Sequence, residues 1–294
     1  MRRKLFFHNT IVTNKLVKTL SLLALISCSL PSYGQEIAIT IDDLPFVGLP
    51  KNIAKQEKEG LKVVQSINKS LDAYQITATG FVVGQRVNKK TIPALQAFID
   101  AGNLIGNHSW SHADFNKISI KQFKRETQRT HKVIKPWLQK PFYYRFLYLK
   151  EGQSLKAKQQ ATAVLDALGY QNSPVSIDND EWKFNSEYIK AIEANAHKDA
   201  QNIAHKYLEH MKEKTNFFQD LAKKKLGRDV KHILLLHMNK INADHLHNLL
   251  NWYKENGWTF ITLQEALTDP IYSMPDSYIG EKGLSKIERI TGKK

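Results

Sequence analysis

The chain has 294 residues, 42% of them hydrophobic, and its 43 Lys and Arg residues against 28 Asp and Glu residues give a formal net charge of +15. This length and hydrophobic content allow one large core or two small ones, and they exclude a disordered or fibrous protein. A single Cys excludes a disulfide scaffold. The positive charge would suit a nucleic acid or an anionic surface, so its meaning depends on where the basic residues lie.

The first 34 residues have the pattern of a secretory signal peptide. Five of the basic residues, with no acidic residue among them, precede an apolar run that ends at Cys28, and the small residues Ser32 and Gly34 follow. Such a segment is typical of a cleaved export signal, and the run is too short for a stable membrane span. We therefore expect residues 1–34 to be removed and residues 35–294 to form the folded domain. An uncleaved membrane anchor is the alternative.

Cys28 gives this segment a second interpretation. Residues 25–28, Leu-Ile-Ser-Cys, resemble a bacterial lipoprotein box, in which the Cys is lipidated and tethers the protein to a membrane. We favour a soluble periplasmic or secreted form, because only a few residues separate Cys28 from the first predicted strand. Either way the folded part has no Cys, which excludes a thiolate metal site and a Cys nucleophile there. We predict a monomer without a nucleic-acid partner, in contact with a membrane only if Cys28 is lipidated.

Apolar β-branched runs alternate with helical patterns from Glu36 onward, and no linker interrupts the alternation. Seven strands are predicted, at residues 37–41, 77–83, 103–106, 142–146, 173–177, 233–236 and 258–261. Six helical segments are predicted between them, at residues 52–73, 92–101, 120–138, 154–168, 186–226 and 243–256. The pattern predicts a single-domain α/β fold, a (β/α) barrel of about seven parallel strands or, failing that, an open doubly wound sheet.

Ionisable side chains follow five of the predicted strands at their C-terminal ends. In chain order the polar residues at these ends are Asp42 and Asp43; Asn107, His108 and His112; Arg145; Asp178, Glu181 and Trp182; and His237. Because the C-terminal ends of parallel strands meet at one mouth of a barrel, we expect these side chains to share a site. Each alone could be a helix cap or a core histidine. Five such strand ends at one rim favour a functional site.

The types of these residues predict a metal-dependent hydrolase. Two imidazoles and one carboxylate can hold a divalent metal with open positions for water and substrate. His108 and His112 with one of the two Asp residues provide that set, and the other Asp could then act as general base.

The remaining residues suit the protonation steps of the same chemistry. His237 could protonate a leaving group as general acid. Arg145 could keep the base Asp ionised and aimed, and either Glu181 or Asp178 could orient His237. Together these groups predict the hydrolysis of an amide or an ester.

The ordered motif set resembles the polysaccharide deacetylase family, also described as NodB homology domains or carbohydrate esterase family 4. Residues 40–43, Thr-Ile-Asp-Asp, are similar to its first motif, usually Thr-Phe-Asp-Asp, whose first Asp is the base and whose second binds metal. Residues 106–112 are similar to its second motif, a His-Ser/Thr-x-x-His metal pair. The usual metal is zinc, with cobalt, manganese or nickel in some members. The roles implied are base for Asp42 and metal ligand for Asp43, His108 and His112.

Three later segments are similar to the remaining motifs. Residues 145–148 resemble Arg-x-Pro-Tyr, with Leu147 in place of the usual Pro; residues 178–182 resemble the fourth motif, with Glu181 in place of an Asp; and Leu236-His237 resembles the fifth. The roles implied are orientation of the base by Arg145, an oxyanion contact from the backbone N–H near Tyr148, substrate contacts at Trp182 and Asp178, tuning of the catalytic His by Glu181, and general acid for His237.

The resemblance spans nearly all of the mature chain, from Ile37 to about Leu267, and implies a distorted (β/α) barrel. It implies that residues 35–294 are a catalytic domain that removes acetyl groups, N-acetyl in preference, from an envelope or extracellular polysaccharide such as peptidoglycan or a GlcNAc polymer. A deformylase or amidase of the same fold, acting on another C–N bond, is an alternative. A non-catalytic glycan-binding protein is a second, against which the intact set of ionisable residues argues.

Overall fold

The computed structural model of the chain describes residues 34–51, 56–276 and 278–292. Cys28 and the predicted signal peptide, apart from Gly34, lie outside these residues, so the export and lipidation hypotheses stay predictions. The described residues form a single domain. Within that part of the chain, no helix has the length and apolar character needed to cross a membrane.

In the described part of the chain, seven strands form one parallel sheet. They are β1 Glu36–Leu44, β2 Thr79–Val82, β3 Leu104–Asn107, β4 Phe142–Tyr144, β5 Tyr170–Asn172, β6 Lys231–His237 and β7 Thr259–Ile261. The order across the sheet is β5-β4-β3-β2-β1-β6, and β7 pairs in parallel with the first residues of β1. The central strand β1 is buried along almost its whole length, as expected of a strand covered on both faces.

Helices follow the strands in chain order. They are α1 Gln56–Asp72, α2 Ile92–Asp100, α3 Ile120–Ile134, α4 Leu155–Ala167, α5 Glu181–Glu193, α6 His197–Leu226, α7 Lys240–Glu255, α8 Leu263–Ala266 and α9 Lys286–Thr291. The helical stretch predicted at residues 186–226 is two helices, α5 and α6. Helix α6 ends at Gly227, which adopts the left-handed conformation (φ 70°) that glycine allows at a C-cap.

The strand predicted at residues 173–177 is wrong, because the strand at this point of the chain is β5. Pro174 has no backbone N–H and cannot continue a ladder of hydrogen bonds. The chain instead crosses from β4, where Ser173 N donates to Tyr144 O (2.8 Å), to β6, where Ile177 N donates to Ile233 O (3.1 Å). This crossing joins the two sides of the curled sheet. The predicted (β/α) barrel is thereby confirmed, and the open sheet is not observed.

The strand register determines where the polar strand ends meet. Asp42 on β1 is the register partner of His237 on β6, and Asn107 on β3 is the partner of Tyr144 on β4. Below this rim, the largest apolar cluster packs β1 and β6 against α1, α6 and α7. Each fully buried Ile, Leu or Phe there contributes about 1.5–3 kcal/mol of transfer free energy. This packed apolar cluster therefore supports the polar strand ends at the rim of the sheet.

Candidate active site

A cavity of about 490 Å³ opens at the C-terminal rim of the sheet. Its wall contains eight of the ten predicted site residues: Asp42, Asp43, His108, His112, Tyr148, Asp178, Trp182 and His237. The other two, Arg145 and Glu181, are fully buried and hydrogen-bond to residues of that wall. The strand ends that the sequence singled out therefore meet at one place.

Asp43, His108 and His112 form a group that could hold a metal ion. Each offers one donor atom, and the three atoms lie within 4.8 Å of one another. His112 Nε2 lies 3.2 Å from Asp43 Oδ1. Among the residues that the structure describes, this is the only such group of three or more His, Cys, Asp or Glu side chains.

Hydrogen bonds to the Nδ1 atoms orient both imidazoles with Nε2 toward the carboxylates. His108 Nδ1 lies 3.0 Å from the carbonyl oxygen of Arg145, which can only accept, so this nitrogen carries the proton. His112 Nδ1 lies 3.1 Å from the hydroxyl of Tyr148. Burial lowers the pKa of His108 to about 4. A neutral ring with its second nitrogen held in this way is the form in which histidine binds a metal.

The carboxylate of Asp43 also has properties that suit the binding of a cation. Its Oδ1 atom is buried and accepts no well-formed hydrogen bond, although Arg86 Nη1 lies at 3.0 Å and His112 Nε2 at 3.2 Å. Burial opposes ionisation, but His112, Arg86 and His237 outweigh it and hold the pKa of Asp43 far below its usual range. An ionised carboxylate beside two imidazoles is a donor set that suits zinc and similar divalent metals.

Asp42 is fixed by a buried guanidinium on one side. Arg145 donates from Nη1 to Asp42 Oδ1 (3.2 Å), from Nη2 to Thr40 Oγ1 (3.1 Å) and from Nε to Ser173 O (2.6 Å). On the other side, Asp42 Oδ2 is 3.6 Å from His108 Nε2. This carboxylate is thus held next to the candidate metal group, with its charge paired by an arginine that is 0% exposed.

Glu181 holds the histidine on the opposite side of the cavity. Its Oε2 lies 3.0 Å from His237 Nδ1, and its Oε1 accepts from the backbone N–H of His237 and from Asn239 Nδ2, both at 3.0 Å. Burial disfavours a charged imidazole, but Glu181, followed by Asp43 and Asp42, outweighs that cost and raises the pKa of His237 to about 9. His237 is therefore protonated at neutral pH. The carboxylate bonded to it is Glu181, and Asp178 is not among its hydrogen-bond partners in the described residues.

Backbone strain is concentrated in the same place. Asp43, His112 and Tyr148 adopt left-handed conformations, with φ of 70°, 59° and 55°. Such conformations cost a non-glycine residue on the order of 1–3 kcal/mol, persist where the surrounding structure holds them, and are frequent at active sites. At the mouth of the cavity, the side chains of Tyr148 and Trp182 are large, apolar and half exposed, at 55% and 51%. They suit stacking against a ligand.

Two residues near the site were missed in the sequence. Arg86, which contacts Asp43, follows β2, so the strand-end rule would have found it had it been applied to that strand. Glu126, buried on α3, accepts hydrogen bonds from Ser111 N (2.7 Å), Ser111 Oγ (2.8 Å) and Ser109 Oγ (3.2 Å). It therefore braces the loop between the two candidate histidine ligands. No local sequence pattern marks a helix residue that acts through such distant contacts.

Fold and site together define a (β/α) barrel with a candidate metal centre and flanking ionisable residues at its C-terminal rim. Residues 31–172 match the family described as polysaccharide deacetylase. Over these residues the chain is similar to the family that its motifs predicted. The match includes Asp42, Asp43, His108, His112 and Arg145 and stops before Glu181 and His237, which the fold brings to the same cavity.

Known relatives cover different shares of the chain. An uncharacterized 30.6 kDa protein of Geobacillus stearothermophilus is 25% identical over 210 residues, which are 71% of this chain and 67% of that protein. The peptidoglycan-N-acetylmuramic acid deacetylase PdaC of Bacillus subtilis is 33% identical over 113 residues, 36% of this chain and 21% of that protein. The second relative is thus similar over a small part of its own length.

Solved structures share the fold. A family 4 acetyl xylan esterase from Clostridium thermocellum, solved with a cobalt ion, has a TM-score of 0.53 at 21% identity, covering 82% of this chain and 93% of that one. A mutant of a CE4 family pseudoenzyme from Bacillus anthracis, with restored activity, has a TM-score of 0.55 at 18% identity, covering 80% and 68%. At these identities the likeness shows the fold alone, so the activity has to be argued from this chain's own residues.

Proposed function

We propose that this protein is a metal-dependent hydrolase that removes acetyl groups, N-acetyl in preference, from an envelope or extracellular polysaccharide such as peptidoglycan or a GlcNAc polymer. The observation that carries the proposal is the arrangement around one cavity of a His/His/Asp group, an arginine-paired Asp42 and a glutamate-paired His237. The match of residues 31–172 to the polysaccharide deacetylase family and the similarity to a peptidoglycan deacetylase support the same reaction.

Asp43, His108 and His112 would hold the metal, most suitably Zn²⁺, with Co²⁺, Mn²⁺ or Ni²⁺ as substitutes. When bound, such an ion lowers the pKa of a water molecule and polarises a carbonyl oxygen. Asp43 is the single carboxylate of this ligand set, so one negative charge from the protein would face a divalent ion.

Asp42 is the proposed general base. Its carboxylate lies beside the metal group, and Arg145 pairs with it and fixes its orientation, so it can accept a proton from the water that attacks the acetyl carbonyl. The attack places negative charge on the former carbonyl oxygen. The backbone N–H of Tyr148 is the proposed hydrogen-bond donor to that oxyanion.

His237 is the proposed general acid. Glu181 keeps it protonated through Nδ1, which leaves Nε2 to donate a proton to the departing amine or alkoxide. This transfer breaks the bond to the acetyl group and releases acetate. Trp182 and Tyr148 are the proposed walls for the sugar, and Asp178 a polar contact in the same wall.

The test is acetate release from GlcNAc oligomers, peptidoglycan, acetylxylan and small amides by the mature protein loaded with zinc. We expect turnover on at least one acetylated glycan, loss of turnover with a chelator, and recovery on addition of metal. A formyl amide in the same panel addresses the deformylase alternative. Turnover that survives complete removal of metal would contradict the proposal.

A non-catalytic glycan-binding protein is the second candidate, because a solved structure of the same fold is described as a CE4 family pseudoenzyme. The complete set of ionisable residues in this cavity argues against it. Glycan binding without acetate release under every metal condition would favour this candidate.

A further inference from the structure

The turn that carries Tyr148 has an unfavourable backbone conformation. Tyr148 and Leu149 both adopt left-handed conformations, at φ 55° and 54°, each of which costs about 1–3 kcal/mol for a non-glycine residue. A proline before them would restrict the chain at that point, but the residue is Leu147. The turn has two backbone hydrogen bonds of its own, from Leu149 N to Phe146 O (3.3 Å) and from Lys150 N to Leu147 O (3.0 Å), and contacts from elsewhere can further fix the direction of the Tyr148 N–H.

The C-terminal segment, residues 278–292, packs beside this turn and is itself firmly anchored. Ser285 begins α9 with a reciprocal capping box. Lys286 N donates to Val175 O at 2.7 Å, and Ile287 is completely buried in a small apolar cluster. The segment is thus attached to the barrel by backbone and side-chain contacts on both sides of its helix start.

Arg289 provides the first contact with the turn. Its side chain is 1% exposed and donates from Nη1 to the carbonyl oxygen of Leu149 at 3.3 Å. Asp276 and Glu151 pair with the same guanidinium, the latter at 3.2 Å. A buried arginine with two carboxylate partners has little freedom to move, so the Leu149 carbonyl is tied to a fixed point.

Gly283 provides the second contact, which is steric. Its Cα lies so close to the carbonyl oxygen of Tyr148 that a Cβ atom built on it would be 1.7 Å from that oxygen. No substituent larger than hydrogen fits at residue 283 while the turn keeps its conformation. Gly283 also lines the cavity, so this packing lies directly at the site.

We propose that the C-terminal segment, through Arg289 and Gly283, positions the Tyr148–Leu149 turn in the conformation that the reaction requires, a task that a proline at residue 147 would otherwise share. The inference rests on the proposed function, in which the Tyr148 N–H stabilises the oxyanion. Arg289 is a positioning residue, since it acts on the site only through the Leu149 carbonyl.

Two variants test this. Gly283→Ala adds the excluded methyl group, and Arg289→Lys keeps the charge between Asp276 and Glu151 but removes the planar fork that reaches Leu149. Hydrogen–deuterium exchange of the Tyr148, Leu149 and Lys150 amides is the primary measurement, with the β3 amides as internal reference.

We expect both variants to exchange faster in residues 148–150 alone and to lose about 10- to 100-fold in kcat, with little change in KM or metal content. Thr291→Ala, at the other end of α9, is the matched control and should match wild type in both measurements.

Rescue separates positioning from general damage. Phe146, at φ −70° and ψ 136°, already has the extended conformation of a residue before proline. Leu147→Pro should therefore recover part of the lost kcat in the Arg289→Lys background. Unchanged exchange of residues 148–150 in both variants would overturn the inference, whatever the activity. A wild-type protein that releases no acetate would contradict the proposed function, while the exchange data would still decide the inference.

Discussion

Glu181 and His237 form a pair in which the carboxylate Oε2 lies 3.0 Å from the imidazole Nδ1, and the Glu181 side chain is completely shielded from water. The carboxylate also accepts from the backbone N–H of His237, so a single residue fixes the ring and its main chain. Glu181 is the first residue of α5, and its side chain reaches across to the end of β6. The length of a glutamate, in place of the aspartate that the fourth motif usually has, suits this span.

This pair predicts the alkaline limit of activity. A general acid must carry its proton, so turnover should fall as the pH rises through the pKa of His237, which Glu181 and the neighbouring aspartates, against the effect of burial, raise to about 9. Glu181→Gln removes the charge that favours the imidazolium form of His237. The alkaline limit of the variant's activity should therefore move toward the ordinary histidine pKa near 6.5. The measurement is kcat as a function of pH for both proteins.

Glu187→Gln, the same change on the exposed face of α5, is the control and should leave the alkaline limit of activity in place.

The Glu181–His237 pair also affects stability. The pKa of His237 is higher in the folded protein than in the unfolded chain. The contribution of the pair to the free energy of unfolding should therefore be complete below about pH 6.5 and disappear as the pH rises to about 9. A Glu181→Gln profile identical to wild type would contradict the assignment of His237 as the acid.

Metal binding should depend on both histidines. We expect about one divalent ion per chain in the wild-type protein, and a large loss of bound metal in His108→Ala and in His112→Ala, because each removes one of three protein ligands. Metal analysis after dialysis and titration calorimetry measure the effect. His205→Ala, at an exposed position of α6, should bind metal normally. Unchanged metal content in the first two variants would refute the proposed ligand set.

Glu126 should influence the same affinity without touching the metal. It braces Ser109 and Ser111 between the two histidines, and loss of such supporting contacts typically costs about 10- to 100-fold in metal affinity. We expect Glu126→Ala to show this loss, and Glu126→Gln, which keeps an acceptor for the Ser111 N–H, to show less. If Glu126→Ala only lowers the melting temperature and binds zinc as tightly as wild type, the loop does not depend on this brace.

Strands that are buried on both faces were predicted more accurately from the sequence than strands at the edge of the sheet. Strands β1 and β6 were predicted within a few residues because both faces are covered and their sequences are continuously apolar. Strand β5, with the polar residues Gln171 and Asn172, lies at the edge of the sheet and lacks that signal. The apolar residues beyond Pro174 were taken for the strand instead.

The candidate site was predictable where strand ends carry it. Asp42 and His237 end neighbouring strands, so chain order and parallel pairing bring them together. Glu126 and Arg289 lie on helices and act through contacts across 15 or more positions in the chain. From the sequence alone, these two charged residues would be assigned to solvent-exposed helix faces. Only the tertiary structure shows that they are buried and in contact with residues near the site.

Trp182 should affect substrate binding more than chemistry. Its ring is half exposed at the mouth of the cavity, so its removal should leave the fold intact and raise KM for a glycan oligomer several-fold with little change in kcat. Steady-state kinetics on a GlcNAc oligomer measure both constants. Phe217→Ala, which removes another half-exposed ring outside the cavity wall, is the control. A fall in kcat at constant KM would show that the ring acts on the reacting centre instead.

Asp42→Asn should separate catalysis from metal binding. The amide cannot accept a proton from water at neutral pH, so turnover should fall by about 10²–10⁴. Metal content should stay close to wild type, because the three donor atoms within 4.8 Å belong to other residues. Asn also keeps an oxygen that can accept the hydrogen bond from Arg145, which limits damage to the fold.

Asp220→Asn, the same substitution on the exposed face of α6, is the matched control for the change in charge and should retain full activity. Acetate release and metal content are measured on the same preparations, with a melting curve to show that each variant is folded. Near-full activity of Asp42→Asn would assign the base elsewhere. Loss of its metal would instead make Asp42 a ligand, since its Oδ2 is 3.6 Å from His108 Nε2.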